Sequence, residues 1–237
     1  MQFHAVYLQR RQPGVSYRDF QRLWRSHGDF AASVPAFWDH VRRYVHNDPV
    51  ENSDGLPGDT ARFDAVGELY YTDYETWVSI RDVMWNEIAP DEKRVFNGPS
   101  TAVRGACTVH RAPQGQHKLF TFARFAPALA PEERDARLAA HVDATLATPD
   151  FGGRLDGFTI TRARPADPAS GMDARPQTAS NMDFVTIHHF ANEDAARAAM
   201  LSTDHEGLLR AQDAFIEPGS RISLLTHGWV LKDDPRP

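Results

Sequence analysis

Residues 8–27, LQRRQPGVSYRDFQRLWRSH, align without a gap on residues 122–141, FARFAPALAPEERDARLAAH, when the chain is shifted by 114 positions. The alignment places His27 over His141. A repeat of this length constrains every other assignment, because both copies are expected to adopt the same set of elements.

A second pair of segments repeats further along the chain. Residues 63–71, FDAVGELYY, align with residues 182–190, MDFVTIHHF, at a shift of 119. The larger shift fits one loop insertion before the third strand of the second half. Matches that keep their order at shared shifts indicate duplication of one unit. The sequence therefore predicts two domains, residues 1–112 and 117–237.

Each half is predicted to contain six elements, in the order strand, helix, strand, strand, helix, strand. The strands are predicted over residues 4–10, 43–47, 63–71, 101–110, 118–125, 155–162, 184–190 and 222–230. The helices are predicted to begin after Ser16 and to cover residues 73–86, 131–146 and 193–200, and residues 163–181 to form a long loop or lid.

This element order is the ferredoxin-like split motif, so the predicted class is α+β. Helices cover only one face of each antiparallel sheet, and the other face needs a cover. The duplicated chain supplies that cover if its two sheets pack face to face as an intramolecular dimer. The sequence therefore predicts a two-sheet barrel that encloses a cavity.

The first half resembles the EthD family of the dimeric α+β barrel superfamily. The resemblance rests on residues 10–16 (RRQPGVS) followed by Phe20, Trp24 and His27, and on residues 43–47, 63–69 and 91–96. The second half keeps only the outline of the pattern. Arg134, Leu138 and Ile187 stand there in place of Phe20, Trp24 and Glu68.

The resemblance implies a ligand pocket between the two sheets, lined by the sheet faces that point away from the helices. Relatives use such a pocket for aromatic or polyketide substrates. A fused pair would contain two inequivalent pockets. The superfamily includes dehydratases, cyclases, decarboxylases, lactone isomerases, cofactor-free monooxygenases and haem enzymes, so the resemblance does not fix the chemistry.

Composition excludes several other classes of function. The 237 residues include 26 basic and 32 acidic side chains, a net charge of −6, which argues against a protein that neutralises nucleic acid. The chain has no apolar run of about 18 residues and its N-terminus lacks the order of a signal peptide, so neither a membrane span nor secretion is expected. The single cysteine, Cys107, cannot close an internal disulfide, and we expect a cytoplasmic protein.

Two carboxylates and three histidines are the candidate acid/base groups. Asp64 and Glu68 share the face of the third strand that is predicted to point into the barrel, and either one could instead be a structural anchor. His27 follows the apolar face of the first helix, and His141 is its repeat partner. His189 aligns with Tyr70 on the inward face of the second third-strand, whereas His188 should face the helices.

Five side chains are the candidate substrate contacts. On the first strand, Val6 and Leu8 are expected to face the helices, which leaves the neighbouring polar positions in the cavity. Aromatic residues there would form a wall with hydroxyl groups suited to a flat, oxygenated ligand, although an ordinary aromatic core is the alternative. These five residues are Tyr7, Gln9, Trp24, Tyr44 and Tyr70.

No cofactor is expected from the sequence motifs. The GxGxxG, GxxxxGK[ST], GxSxG and CxxCH patterns are missing, and neither HExxH nor a Cys–His cluster indicates zinc. Haem held by one histidine stays open, because it needs a single axial ligand.

The leading hypothesis is therefore a cofactor-independent lyase or cyclase, of the dehydratase type, that acts on a small aromatic or polyketide-like compound. A barrel-fold monooxygenase, either cofactor-free or haem-dependent, is the alternative, and a non-catalytic binding or auxiliary protein is a third. The expected partner is the small-molecule substrate, with no nucleic acid or membrane, and pairing of two chains stays open.

Overall fold

The computed structural model describes residues 2–51, 53, 55–59, 63–98, 100–171 and 180–234. The strands are β1 (Phe3–Gln9), β2 (Val41–Pro49), β3 (Ala65–Tyr71), β4 (Thr101–Arg111), β5 (His117–Ala123), β6 (Gly157–Ala163), β7 (Phe184–Phe190) and β8 (Ile222–Asp233). The α-helices are α1 (Tyr17–Ala32), α2 (Pro35–Trp38), α3 (Tyr74–Ser79), α4 (Arg81–Val83), α5 (Ala89–Val95), α6 (Pro131–Ala147), α7 (Glu193–Met200) and α8 (Thr203–Asp213). A π-helix covers Met84–Ile88, and short 3₁₀ turns cover Gly152–Arg154 and Pro168–Ser170.

The eight strands form one closed antiparallel barrel in the order β1-β3-β2-β8-β5-β7-β6-β4. The first four strands lie in the order β4-β1-β3-β2, and the last four lie in the order β8-β5-β7-β6. The second order is the first with four added to each strand number. The two groups meet at their edges, where β2 pairs with β8 and β4 pairs with β6. The protein is thus an α+β fold in which edge pairing, and not stacking of separate layers, closes the barrel.

Apolar side chains fill the middle of the barrel. They are Val6, Leu8, Val66, Val103, Phe120, Phe122, Val185, Ile187 and Leu224. The expectation that Val6 and Leu8 face the helices is wrong, since the alternation of β1 runs the other way and turns Tyr7 and Gln9 towards the helices. The expectation of a cavity between the two sheets is also wrong over this stretch, because these side chains occupy the space.

The helices pack on the outside of the barrel and form three further cores. In the first half one core joins Phe3, Ala5 and Tyr7 of β1 to α1–α4 and the π-helix, and a smaller one joins Phe20 and Trp24 of α1 to Val95 of α5. In the second half the core is rich in phenylalanine, with Phe125, Phe151, Phe158, Phe184, Phe190 and Phe215 all buried.

Helix boundaries follow local signals in several places. Ser16 caps α1, with its side-chain oxygen accepting from the backbone N–H of Asp19, and Pro131 opens α6. The helix predicted over residues 73–86 continues through the π-helix to Val95, and α8 was not predicted. The predicted loop over residues 163–181 includes residues 172–179, which lie outside the described residues. Among the described helices, none has the length and apolarity needed to cross a membrane.

Candidate functional site

One opening of the first half lies between the sheet and its helices, and we call it the helix-side cavity. It has a volume of about 430 Å³. Its walls come from β1, β3 and β4 on the sheet side and from α3, the π-helix and α5 on the helix side. They include Ala5, Tyr7, Gln9, Leu69, Tyr71, Trp77, Met84, Trp85, Ala89, Glu92, Phe96, Ser100 and Arg104.

Gly67 shapes the sheet side of this cavity. A Cβ atom at this position would lie 2.1 Å from Cζ of Tyr7 on the neighbouring strand. Because glycine has no side chain, the Tyr7 ring lies flat across β3 and towards the helices. On the opposite side, the wider turn of the π-helix carries Met84 and Trp85 over the cavity.

A carboxyl group and a guanidinium cation share the walls of the cavity. Glu92 on α5 is half-buried, and burial raises the pKa of its carboxyl, which the charges of His27 and Arg104 only partly offset. Arg104 on β4 is 8% exposed, with Nη2 3.5 Å from the Ser100 hydroxyl. A carboxyl with a raised pKa that shares a cavity with a buried guanidinium suits proton transfer to and from carbon.

Two phenols complete the polar side of the cavity. Burial raises the pKa of Tyr7 and Tyr71 above the ordinary tyrosine value, so both stay neutral hydrogen-bond donors. The Tyr71 hydroxyl is buried and has no hydrogen-bond partner within the described part of the chain. The Tyr7 and Tyr44 hydroxyls lie 3.4 Å apart, so Tyr44 stands behind Tyr7 and is not itself a wall residue.

Of the predicted contacts, Tyr7 and Gln9 line the helix-side cavity, but Trp24 does not. The Trp24 ring stacks on His46, with 4.0 Å between ring centroids, and both are buried. Trp24 is therefore a core residue of the helix–sheet interface. The expectation that it forms a wall for a ligand is wrong because His46 covers its face.

His27 also lies behind the cavity wall. It is 2% exposed, and its Nδ1 donates to Oδ2 of Asp91 over 2.7 Å. Burial acts to raise the pKa of Asp91, but the bonds from Arg94 and His27 outweigh it and lower that pKa, which keeps Asp91 an ionised acceptor. His27 thus holds Asp91, the residue before Glu92 in α5, and does not itself line the cavity.

Glu68, Tyr70 and His189 meet elsewhere, at one open end of the barrel. The Glu68 carboxylate is fully buried; it accepts from Lys118 Nζ at 2.6 Å on one oxygen and from the Tyr70 hydroxyl at 2.9 Å on the other. Asn47 donates a further bond of 2.9 Å to Glu68. Burial acts to raise the pKa of Glu68, but the charges and hydrogen bonds of Lys118 and His4 together outweigh it and hold that pKa well below its usual range.

Lys118 is the residue of this cluster that the sequence analysis missed. A shift of 114 places it on His4, whose Nε2 lies 3.6 Å from the same carboxylate. The repeat thus contained a signal, since it aligns two basic side chains on the inward face of equivalent strands. A cavity of about 380 Å³ opens here, and we call it the barrel-mouth cavity. Its walls include Arg42, Arg43, Tyr70, Cys107, Lys118, Thr159, His189, Asp233 and Asp234.

Asp64 lies at the opposite end of β3 from this cluster. Its carboxylate accepts from the backbone N–H and from Nη1 of Arg11, both at 2.9 Å. These contacts tie the end of β1 to the start of β3. The position of Asp64 favours a role as a structural anchor over a role as an acid/base group.

His141 lies in the second half beside His188 and His205, where the remaining void is only about 20 Å³. Burial lowers the pKa of His141 to about 4. His188 faces the helices, as predicted, and stacks on Phe158 at 4.6 Å. The second half therefore has no counterpart of the helix-side cavity in its described residues, because aromatic side chains fill that space.

A haem held by one histidine does not fit the helix-side cavity or the void beside His141. The described walls of the helix-side cavity contain no histidine. The void beside His141, about 20 Å³, is far smaller than a porphyrin. The described residues also contain no group of three or more histidine, cysteine or acidic side chains arranged to hold a metal ion.

The eight-stranded antiparallel barrel with outer helices is the fold of the dimeric α+β barrel proteins. Residues 12–100 match the model of the EthD domain family. The match covers β3 and the helices that line the helix-side cavity, and it leaves out β1 and β4. A search of the curated proteins found no match.

Solved structures share the fold along the whole chain. An anthrone oxidase-like protein superimposes with a TM-score of 0.65 at 8% identity, over 100% of this chain and 96% of that chain. A "putative monooxygenase" from Lactobacillus acidophilus NCFM has a TM-score of 0.53 at 9% identity, over 98% and 96% of the two chains. Chlorite dismutase from Candidatus Nitrospira defluvii has a TM-score of 0.52 at 10% identity, over 97% and 92%. At these identities the likeness shows the fold alone.

Proposed function

We propose that the protein is a cofactor-independent enzyme of the dehydratase or cyclase type, and that a small aromatic or polyketide-like ketone reacts in its helix-side cavity. The observation that carries the proposal is Glu92, with its raised pKa, in one cavity with the buried Arg104 guanidinium. The acid/base role predicted for His27, Glu68 or His189 passes to Glu92, because none of those three lines this cavity.

The walls suit a flat ring that carries oxygen atoms. Trp77, Trp85 and Phe96 offer aromatic faces and edges against which a planar ligand packs. The cavity volume of about 430 Å³ is within the range of small-molecule sites. The hydroxyl groups of Tyr7 and Tyr71 and the amide of Gln9 lie on the sheet side, so the ligand's oxygen atoms would point towards β1 and β3.

The proposed reaction needs only proton transfers. The Glu92 carboxylate removes a proton from the carbon next to a carbonyl, and the enolate oxygen accepts hydrogen bonds from Arg104 and Tyr71. The enolate then expels a hydroxyl group from the β-carbon, and the protonated Glu92 returns its proton to that group. One carbon–hydrogen and one carbon–oxygen bond break, a carbon–carbon double bond forms, and water leaves.

A cofactor-free oxygenase is the second candidate. The full-length likeness to an anthrone oxidase-like protein favours it. The first step would be the same removal of a proton by Glu92. The resulting anion would then reduce O₂, so that a ring CH₂ group becomes a carbonyl and one water forms. The two candidates therefore differ in the second reactant and not in the cavity.

The test is a substrate screen with a matched pair of variants. A panel of anthrones and β-hydroxy aromatic ketones is incubated with the protein, and water loss by mass spectrometry and O₂ uptake are measured. We expect Glu92→Gln to lose at least a hundredfold in rate, in the range general acid–base catalysis contributes, about 10²–10⁴. Glu87→Gln, which changes an exposed carboxylate on the adjacent π-helix, should keep the wild-type rate.

Each outcome assigns a different function. Water loss without O₂ uptake supports the dehydratase, and stoichiometric O₂ uptake supports the oxygenase. Binding without turnover, or equal rates for the two glutamate variants, would assign the cavity to a binding protein or the chemistry to other residues.

We also propose that the two halves descend from one duplicated ferredoxin-like unit, with domains over residues 1–112 and 117–237. The equal strand order of the halves and the two sequence shifts support it. Fragments separated at the linker between them should associate into the complete barrel when co-expressed. Two fragments that each fold but never bind one another would contradict this proposal.

A further inference from the structure

The barrel-mouth cavity has a polar lining that the proposed function does not use. Lys118 and Glu68 form a buried ion pair at its inner end, both less than 3% exposed. A buried ion pair is weak evidence for stability, because apolar residues of similar volume commonly serve as well or better. Charged groups kept at the inner end of an open cavity are therefore a candidate for a second site.

The second observation is a pair of buried polar atoms without partners. His189 is 4% exposed, and its Nδ1 donates to the Gly115 carbonyl at 3.2 Å. Burial, together with the Lys118 charge, lowers the pKa of His189 to about 4, so Nε2 is a neutral acceptor. Neither this Nε2 nor the hydroxyl of Thr159 has a hydrogen-bond partner in the part of the chain that the structure describes. Both residues line the cavity, and buried polar groups are rarely left without partners.

The charges around the cavity are already paired with one another. Lys118 faces Glu68 at 2.6 Å, Arg43 faces Asp233 at 3.7 Å, and Arg42 faces Asp234 at 3.5 Å. A charged ligand would have to break one of these pairs. The unmet requirements are instead one donor for His189 and one partner for Thr159, which a neutral hydroxyl group supplies.

We propose that the barrel-mouth cavity is a second small-molecule site, specific for a neutral ring that carries hydroxyl groups. One ligand hydroxyl donates to Nε2 of His189 and another bonds the Thr159 hydroxyl, while Val109 and Pro113 contact the ring. The site lies inside the barrel end, on the other face of the sheet from the helix-side cavity. It does not depend on the reaction proposed there.

Resorcinol is the probe, with benzoate and toluene as the charged and apolar comparisons. Titration calorimetry should detect binding of resorcinol and of neither comparison. His189→Gln keeps an amide near the Nε2 position, whereas His189→Asn keeps one near Nδ1 and removes the acceptor. We expect His189→Asn to weaken resorcinol binding by about fivefold to tenfold, the effect of one lost hydrogen bond, and His189→Gln to weaken it less.

Cys107 locates the bound probe. It is the only cysteine of the chain and it lines the barrel-mouth cavity. Methyl methanethiosulfonate transfers its S-methyl group to this thiolate, with methanesulfinate leaving, and intact-mass measurement follows the reaction. Resorcinol should slow labelling in the wild type and in Glu92→Gln alike, since Glu92 lines only the other cavity.

Three results would overturn the proposal. One is the absence of resorcinol binding by calorimetry. Another is binding that leaves the Cys107 labelling rate unchanged and disappears in Glu92→Gln, which would place the probe in the helix-side cavity. The third is a preference for benzoate, which would show that the paired cations are free to take an anion. None of these results bears on turnover at Glu92, so the two proposals fail separately.

Discussion

Replacement of Lys118 by methionine tests whether the buried ion pair at the barrel mouth holds the barrel together. Lys118 is 1% exposed. Among the described residues, its ammonium is the only cation with an atom within 3 Å of the Glu68 carboxylate. Methionine keeps the length of the side chain and removes its charge. The Glu68 carboxylate would then stay buried with the neutral donors Asn47 and Tyr70 beside it and with Nε2 of His4 at 3.6 Å.

The expected cost is large because the remaining charge cannot reach water. Removing one partner of a buried ion pair typically costs about 3–5 kcal/mol. Two neutral hydrogen bonds remain on the carboxylate, so we expect the lower end, about 3 kcal/mol. Lys118→Met combined with Glu68→Gln removes both charges and should recover at least half of that loss.

Urea unfolding at pH 7, followed by fluorescence, measures these free energies. Lys93→Met, at an exposed lysine of α5, is the control and should change the stability by less than about 0.5 kcal/mol. A loss below about 1 kcal/mol for Lys118→Met, or a double variant no more stable than the single one, would refute the buried-charge argument. The low pKa of Glu68 also predicts how the unfolding free energy depends on pH. The stability that the ion pair contributes is present above the unfolded-state pKa of the carboxyl, and it is lost as the pH falls towards the folded-state pKa.

Three further outcomes follow from single residues. The pKa of His141 is about 4 in the folded state and 6.5 for the free side chain, so the unfolded state binds the extra proton as the pH falls. His141→Gln should therefore reduce the loss of unfolding free energy between pH 6.5 and pH 4, by up to about 3 kcal/mol in urea titrations. Gly67→Ala forces a methyl group onto Tyr7, and calorimetry should show a stability loss of about 1–3 kcal/mol together with weaker ligand binding in the helix-side cavity. Asp64→Ala removes the bonds to Arg11 and should cost about 1 kcal/mol with turnover unchanged; a large loss of turnover would restore Asp64 as a reacting group.

The repeat predicted much of the architecture, because it constrains two sets of elements at once. It placed the third strand of the second half at Phe184–Phe190, with His189 and Tyr70 in equivalent inward positions, and the structure confirms both. It did not predict which face of β1 points outwards. All seven residues of β1 are buried, so its alternation contains no solvent-facing polar side to set the direction.

The candidate reacting groups were harder to predict for a similar reason. Glu92 lies in a charged run, DEKR at residues 91–94, which is typical of an exposed helix surface. Arg104 gave a better signal, since a charged residue in the middle of a buried strand needs a reason to be there. The histidines were candidates because a free imidazole titrates near neutral pH. Burial lowers the pKa of His141 and His189 to about 4, so neither titrates near neutral pH.

A crystal structure with a turned-over compound from the substrate screen, bound as the unreactive product, tests the central claim most directly. We predict its ring between Tyr7 and Trp77, its carbonyl oxygen on the Arg104 guanidinium, and the reacted carbon facing the Glu92 carboxylate. A ring seated in the second half, or one in the helix-side cavity with its reacted carbon turned away from Glu92, would contradict the account.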